Sequence, residues 1–136
     1  MKEAEVKALL VDPMNNSPVI LLKDRNSTKA MPIWIGEAEA MSIALELQGQ
    51  SFPRPLSHDL MKRLLEALGG TLERVVISNL KEGTFYATLY VRTPTGELKE
   101  IDARPSDSVA LALRTRPPIL SLIHISEPTR LGMISY

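Results

Sequence analysis

The segment PSDSVALALRT, residues 105–115, constrains the fold more than any other. It follows a strand-like run that ends in Asp102 and Arg104, and from Val109 to Leu113 it is wholly apolar. Pro105 suits the first turn of a helix, where its missing N–H is no loss and its fixed φ is already helical. A helix this apolar is expected to be largely buried, so the rest of the chain has to cover it.

The remaining residues supply strands and two more helices. Residues 3–12 read as a strand closed by Asp12-Pro13, and MNNSP (14–18) is turn material. VILLK (19–23) and MPIWIG (31–36) read as two further short strands. From Glu37 the pattern turns helical: Ala38, Met41, Ala44, Leu45 and Gln48 fall three and four apart, and Gly49 is a stop. QSFPRPLSHDL then holds Arg54 extended between two prolines. Ser57 is the expected N-cap of the next helix, with Asp59 in its first turn, a stripe of Leu60, Leu64 and Leu68, and Gly69-Gly70 as its end. Residues 71–79 are rich in β-branched types. A turn at Lys81 to Gly83 leads to 84–92, where Phe85, Ala87, Leu89 and Val91 share one face. Pro94-Thr95-Gly96 turns the chain again, so 97–103 is expected to pair antiparallel with 84–92. The order βββααβββα, with hairpins and no steady βα alternation, predicts an α+β fold with a mostly antiparallel mixed sheet and three helices.

Composition narrows the class. A chain of 136 residues that is 44% hydrophobic suits one domain with a real core. Sixteen basic residues balance sixteen acidic ones, which argues against holding nucleic acid by net charge alone, though a local patch would suffice. The lack of cysteine excludes disulfides and thiolate metal sites and permits a cytoplasmic setting. No apolar run approaches the roughly 20 residues that span a bilayer, so a soluble, unexported protein is expected. The expected domain is 1–120, truncated at its C-terminal side after PPIL; the stretch SLIHISEPTRLGMISY (121–136) has no clean period and resembles a translated sequencing adapter, so His124 and Arg130 are set aside as parts of a non-native tail.

The junction before residue 105 collects Asp102, Arg104, Ser106 and Asp107. The bland account is an ion pair fastening strand to helix, with Ser106 or Asp107 satisfying backbone N–H groups at the helix start. The functional account is a cleft offering donors to a phosphate and acids to a divalent ion. No Gly-rich phosphate loop and no HExxH or Gly-x-Ser-x-Gly element is present.

Three motifs in register, MPIWIGEAEAMSIAL, RPLSHDLM and IDARPSDSVALALR, resemble the bifunctional nuclease (BFN) domain family over about residues 3–120. The resemblance implies an α+β fold, frequent self-association, and nuclease activity on DNA and RNA as in plant members. It places Gly36, Glu37 and Ala38 in the first motif, Arg54, Pro55, His58 and Asp59 in the second, and Asp102, Arg104, Pro105, Ser106 and Asp107 in the third.

Chemistry assigns roles to those positions. Phosphodiester cleavage needs an activated oxygen nucleophile and charge neutralisation at phosphorus, which a carboxylate-held Mg2+ or Mn2+ supplies. Glu37, Asp59, Asp102 and Asp107 are the candidate ligands. His58 is the candidate acid or base, with Asp102 and Asp107 beside it in the catalytic set, and Arg54, Arg104 and Ser106 are the candidate substrate-binding groups. Each has a structural competitor: His58 as a cap or packed ring, Glu37 on its own helix dipole, Trp34 as core or interface instead of a base-stacking platform. The expected protein is a cytoplasmic, self-associating nuclease, a dimer foremost; the alternatives are a non-catalytic regulatory module binding protein or nucleic acid, and a binder of a small phosphate ligand.

Overall fold

The first hairpin closes on an aspartate. Asp12 ends β1 (Lys2–Asp12) by accepting the Met14 N–H on Oδ1 at 2.9 Å, an Asx turn that reverses the chain into β2 (Ser17–Asp24). In the computed structural model, which describes residues 2–14, 16–50, 52–79 and 85–121, these strands pair antiparallel from Ala4↔Asp24 to Asp12↔Ser17, with a bulge between Val6 and Ala8. β3 (Ala30–Trp34) continues antiparallel on β2 and forms one edge of the sheet. Two helices follow, α1 (Glu37–Leu47) and α2 (Ser57–Ala67), then β4 (Thr71–Asn79), β5 (Phe85–Arg92), β6 (Leu98–Ala103) and α3 (Pro105–Thr115). β5 and β6 pair antiparallel from Ala87↔Ala103 to Arg92↔Leu98, as the turn at Pro94 to Gly96 predicts.

The strand the sequence did not announce is β7 (Ile119–Ser121). It lies at the centre of a seven-stranded sheet of order β3-β2-β1-β7-β4-β5-β6, antiparallel to β1 and parallel to β4. It joins two antiparallel halves into one sheet. Three residues after a Pro-Pro step show no alternation, which is why pattern reading passed over it. Ser121, expected to begin the tail, is its last residue; residues 122–136, and with them His124 and Arg130, lie outside the described residues, as does the expected turn at Lys81 to Gly83.

α3 is covered on both sides, as its composition demands. Val109 and Ala110 are fully buried, and Leu111 and Ala112 nearly so. Leu111 and Ala112 join a core with Leu72, Val75, Ile77, Ala87 and Ile119 from the sheet. Val109 and Ala110 pack with Ile20 of β2 and Ile43 of α1. α1 and α2 both lie against α3.

Three local expectations change. α1 buries Ala40, Ser42 and Ile43, while Ala38, Met41 and Gln48 are exposed; contact with α3 selects a different face from the one the spacing suggested. The N-cap of α2 is Leu56, not Ser57, which occupies the first helical position. The orphan Leu56 N–H is satisfied from inside the helix, by Asp59 Oδ2 at 2.9 Å. α3 is capped at Arg104 with no side-chain cap bond, so neither Ser106 nor Asp107 caps it. Among the described residues, no helix is long and apolar enough to cross a membrane.

β7 should carry stability out of proportion to its length. A chain ending at Pro118 is expected to lose about 3 kcal/mol or more relative to one ending at Ser121, since it forfeits the burial of Ile119 and the ladders to both neighbours. Urea unfolding of the two chains measures this; equal midpoints would show that the halves hold together without the central strand.

Candidate functional site

α3 begins where β6 leaves the sheet, and its first turn points a carboxylate at α2. Asp107 Oδ1 accepts from His58 Nε2 at 2.9 Å. The other ring nitrogen, His58 Nδ1, lies 2.7 Å from Ser42 Oγ on α1. Asp107 Oδ2 accepts from Arg104 Nε at 2.9 Å and lies 2.8 Å from its Nη2. Arg104 Nη2 also approaches Glu39 Oε2 of α1, at 3.5 Å. The result is one polar chain, Ser42–His58–Asp107–Arg104–Glu39, drawn from all three helices. It lines a cleft of about 370 Å³ with Met41, Met61 and Leu56 on its apolar side.

The protons in this chain have definite places. Burial is the largest single influence on the Asp107 carboxyl and pushes it up, but hydrogen bonds from His58 and Arg104, with the charge of Arg104, outweigh it and hold the group below the usual carboxylate range. Asp107 is thus an anion and can only accept. His58 Nε2 therefore carries a proton, and in the neutral ring Nδ1 presents a lone pair to the Ser42 hydroxyl. Arg104 is held still more firmly charged, chiefly by its hydrogen bond to Asp107. His58 and Ser42 are 5% and 7% exposed, whereas the Arg104 side chain is 65% exposed. The arginine is the part of the chain that meets solvent.

A second polar knot lies deeper. Arg114, with its side chain 3% exposed, donates from Nε to Asp59 Oδ1 at 2.7 Å, from Nη1 to the Ala110 carbonyl at 2.8 Å and from Nη2 to the Ser42 carbonyl at 3.2 Å. Glu46 Oε1 stands 3.8 Å away. For Asp59, burial again pushes the carboxyl up, and bonds from Arg114 and the Leu56 N–H bring it below its usual range.

The structure sorts the residues singled out from the sequence. It brings His58, Asp107 and Arg104 together. Ser106 is buried and lines a neighbouring cavity with Arg104. Asp59 faces Arg114 in a separate cavity. Glu37, the first residue of α1, lines a third cavity beside Leu9, Leu10 and Val11. Asp102 is exposed on β6 opposite Thr88, and Arg54 is exposed on the approach to α2; neither lines the cleft. Arg104 leaves the strand to cap α3, so it does not share a strand face with Asp102. The four carboxylates expected to hold a metal do not gather: among the described residues, no three His, Asp or Glu side chains are placed to bind one ion. The sequence reading missed Ser42, Glu39 and Arg114. A serine and an arginine at buried positions of apolar helices were the available signal, since such groups are stable there only when paired.

Acid should loosen this site. Carboxyls held low when folded contribute stability that is complete above their unfolded value of about 4 and is lost as the pH falls through the lower folded values. Urea midpoints taken downward from about pH 6 should fall across that window, and Asp107→Asn and Asp59→Asn should each flatten the fall. An unchanged slope in both variants would contradict the assignment.

Comparison with known proteins follows the same outline. The profile of the bifunctional nuclease domain matches residues 20–131. An uncharacterized protein of Mycobacterium tuberculosis is 49% identical over 119 residues, 88% of this chain and 70% of that protein. Bifunctional nuclease 1 of Oryza sativa subsp. japonica is 26% identical over 112 residues, 81% of this chain but 34% of the plant protein. Bifunctional nuclease 1 of Arabidopsis thaliana is 24% identical over 105 residues, 75% of this chain and 32% of its own. With the fold expected from the three motifs and a profile match over most of its length, the chain belongs to the bifunctional nuclease domain family.

Proposed function

We propose that this domain cleaves phosphodiester bonds in nucleic acid, with the cleft between α1, α2 and the start of α3 as its reacting centre. The observation that carries the reading is the bonding of His58 at both ring nitrogens, to an anionic carboxylate on one side and to a hydroxyl on the other, beside an exposed guanidinium. The names of the plant relatives support it.

Each residue has a task. Asp107 keeps the proton of His58 on Nε2 and stabilises the imidazolium that forms when the ring accepts a second one. His58 Nδ1 faces the Ser42 hydroxyl, and both side chains line the cleft: a water there gives a proton to Ser42 Oγ, which passes its own to His58 Nδ1. The hydroxide attacks phosphorus, the bond to the leaving oxygen on the far side breaks, that oxygen takes a proton from solvent, and His58 returns its extra proton to solvent through Ser42. Arg104 offers charge and hydrogen bonds to the phosphate oxygens. Mg2+ or Mn2+ was expected at Glu37, Asp59, Asp102 and Asp107, but these do not fit one ion as a set. No step is assigned to a metal.

Self-association belongs to the same proposal. Leu60 and Leu64 of α2 and its C-cap Leu68 are 49%, 54% and 76% exposed, and a second copy is the partner proposed for that stripe. Leu64→Lys should shift a dimer to monomer in sedimentation; a wild-type chain that sediments as monomer ends the idea.

A non-catalytic reading has one observation in its favour: among the described residues, every buried side-chain polar atom has a partner, as a purely structural network would require. Cleavage of labelled single-stranded and double-stranded DNA and RNA, with magnesium, manganese and chelator arms, separates the two. The catalytic reading predicts cleavage whose kcat falls about 100-fold or more in Ser42→Ala and in His58→Ala, with KM little changed, and whose KM rises in Arg104→Ala. Oligonucleotide binding without cleavage in any arm would leave the regulatory reading.

A further inference from the structure

Arg104 lines two cavities, and the second one is not explained by the proton chain. It has a volume of about 490 Å³ and is lined by Trp34, Ile35, Gly36, Phe85, Arg104 and Ser106 among others. Trp34 sits on the edge strand β3 with 45% of its surface exposed. Its ring is nevertheless fixed. The indole N–H donates to Asp12 Oδ2 at 3.1 Å, and Asp12 is itself buried and held through Oδ1 by the Met14 N–H. A carboxylate at the end of β1 thus locks an aromatic ring that stays in contact with water. Nearly half of this large ring is left uncovered by the fold and open to a ligand. Phe85 adds a second aromatic wall. Arg104 is the one charged group among the described lining residues; its guanidinium also holds Asp107 and Glu39, which line the neighbouring cleft and not this cavity.

We propose that this cavity is a nucleotide subsite, in which one unpaired base stacks on Trp34 and Phe85 while its phosphate meets Arg104. The subsite deepens the phosphodiesterase reading and rests on it. A planar base has a π-face that any fixed aromatic ring can accept, and its linked phosphate is the complement of the shared arginine. A base inside a duplex has both faces already stacked and cannot enter. The protein should therefore select single-stranded nucleic acid, with the bond to be cut placed at Arg104, between the subsite and His58.

Trp34 is the sole tryptophan of the chain, so its emission reports this site directly. The test titrates the wild-type protein with short phosphorothioate-linked oligonucleotides, single-stranded and duplex. Binding is followed in parallel by the anisotropy of an end-labelled strand. The expected result is strong quenching of Trp34 by the single strand, at concentrations about tenfold below those of the duplex. Trp34→Leu should weaken single-strand binding by roughly 5- to 150-fold, the range that stacking of one base supplies, and move the ratio of single-strand to duplex affinity towards one. Saturable anisotropy with no change in Trp34 emission would overturn the subsite and leave the cleavage proposal standing. Equal affinity for duplex and single strand would also overturn it. Binding of neither strand would overturn both, whereas quenching that follows protein concentration alone would mark Trp34 as a contact between copies and overturn the subsite only.

Discussion

The buried guanidinium of Arg114 is the constraint around which the three helices are arranged. A cation with 3% side-chain exposure is tolerable only when its donors are used and its charge is met. Asp59 supplies the charge, and carbonyl oxygens of α3 and α1 each take a hydrogen bond from one of the terminal nitrogens. Residues 107 and 114 are seven apart, two turns of helix, and so lie on one face of α3. Asp107 therefore reaches His58 while Arg114 reaches Asp59, adjacent residues in the first turn of α2. Ser42 closes the arrangement from α1, giving its hydroxyl to one knot and its carbonyl to the other. Removing a buried partner from such a pair typically costs several kcal/mol, because the other charge is left behind.

This geometry has a consequence for chemistry. The apolar core holds the helices against the sheet, but polar groups set their rotation and register. The same bonds that fix α2 against α3 also fix the imidazole, its proton and its lone pair. A reacting group needs that kind of positioning, and here it comes from elements that are already packed. The exposed end of the chain, Arg104, is the end that a phosphate can reach.

Much of this was legible in the residues. Pro105 and the run to Leu113 announced a buried helix, and the turn at Pro94 to Gly96 announced its neighbouring hairpin. The three motifs carried the family. His58, Asp107 and Arg104 stood out as a histidine, an acid and an arginine near helix starts, although caps and ion pairs account for the same residue types there. What stayed hidden depends on tertiary contact. Ser42 gives a faint signal, a serine within an apolar helix, and only the approach of His58 gives it a role. Asp59 and Asp107 look equivalent in sequence, yet α3 offers an arginine to one and accepts a histidine proton on the other. Glu37 and Asp102 share motifs with site residues but project elsewhere. β7 is too short for a pattern, and its place between β1 and β4 is decided by the vacancy between two half-sheets.

The central claim is that an anionic Asp107 keeps a proton on His58 Nε2, so that whenever the ring holds a single proton its Nδ1 lone pair faces Ser42. The ring nitrogen-15 shifts of His58, identified by their loss in His58→Gln, measure that arrangement directly in solution. The account predicts a protonated-type shift for Nε2 and a lone-pair shift for Nδ1 that moves in Ser42→Ala. A ring carrying its proton on Nδ1, or an even mixture of tautomers, would contradict it.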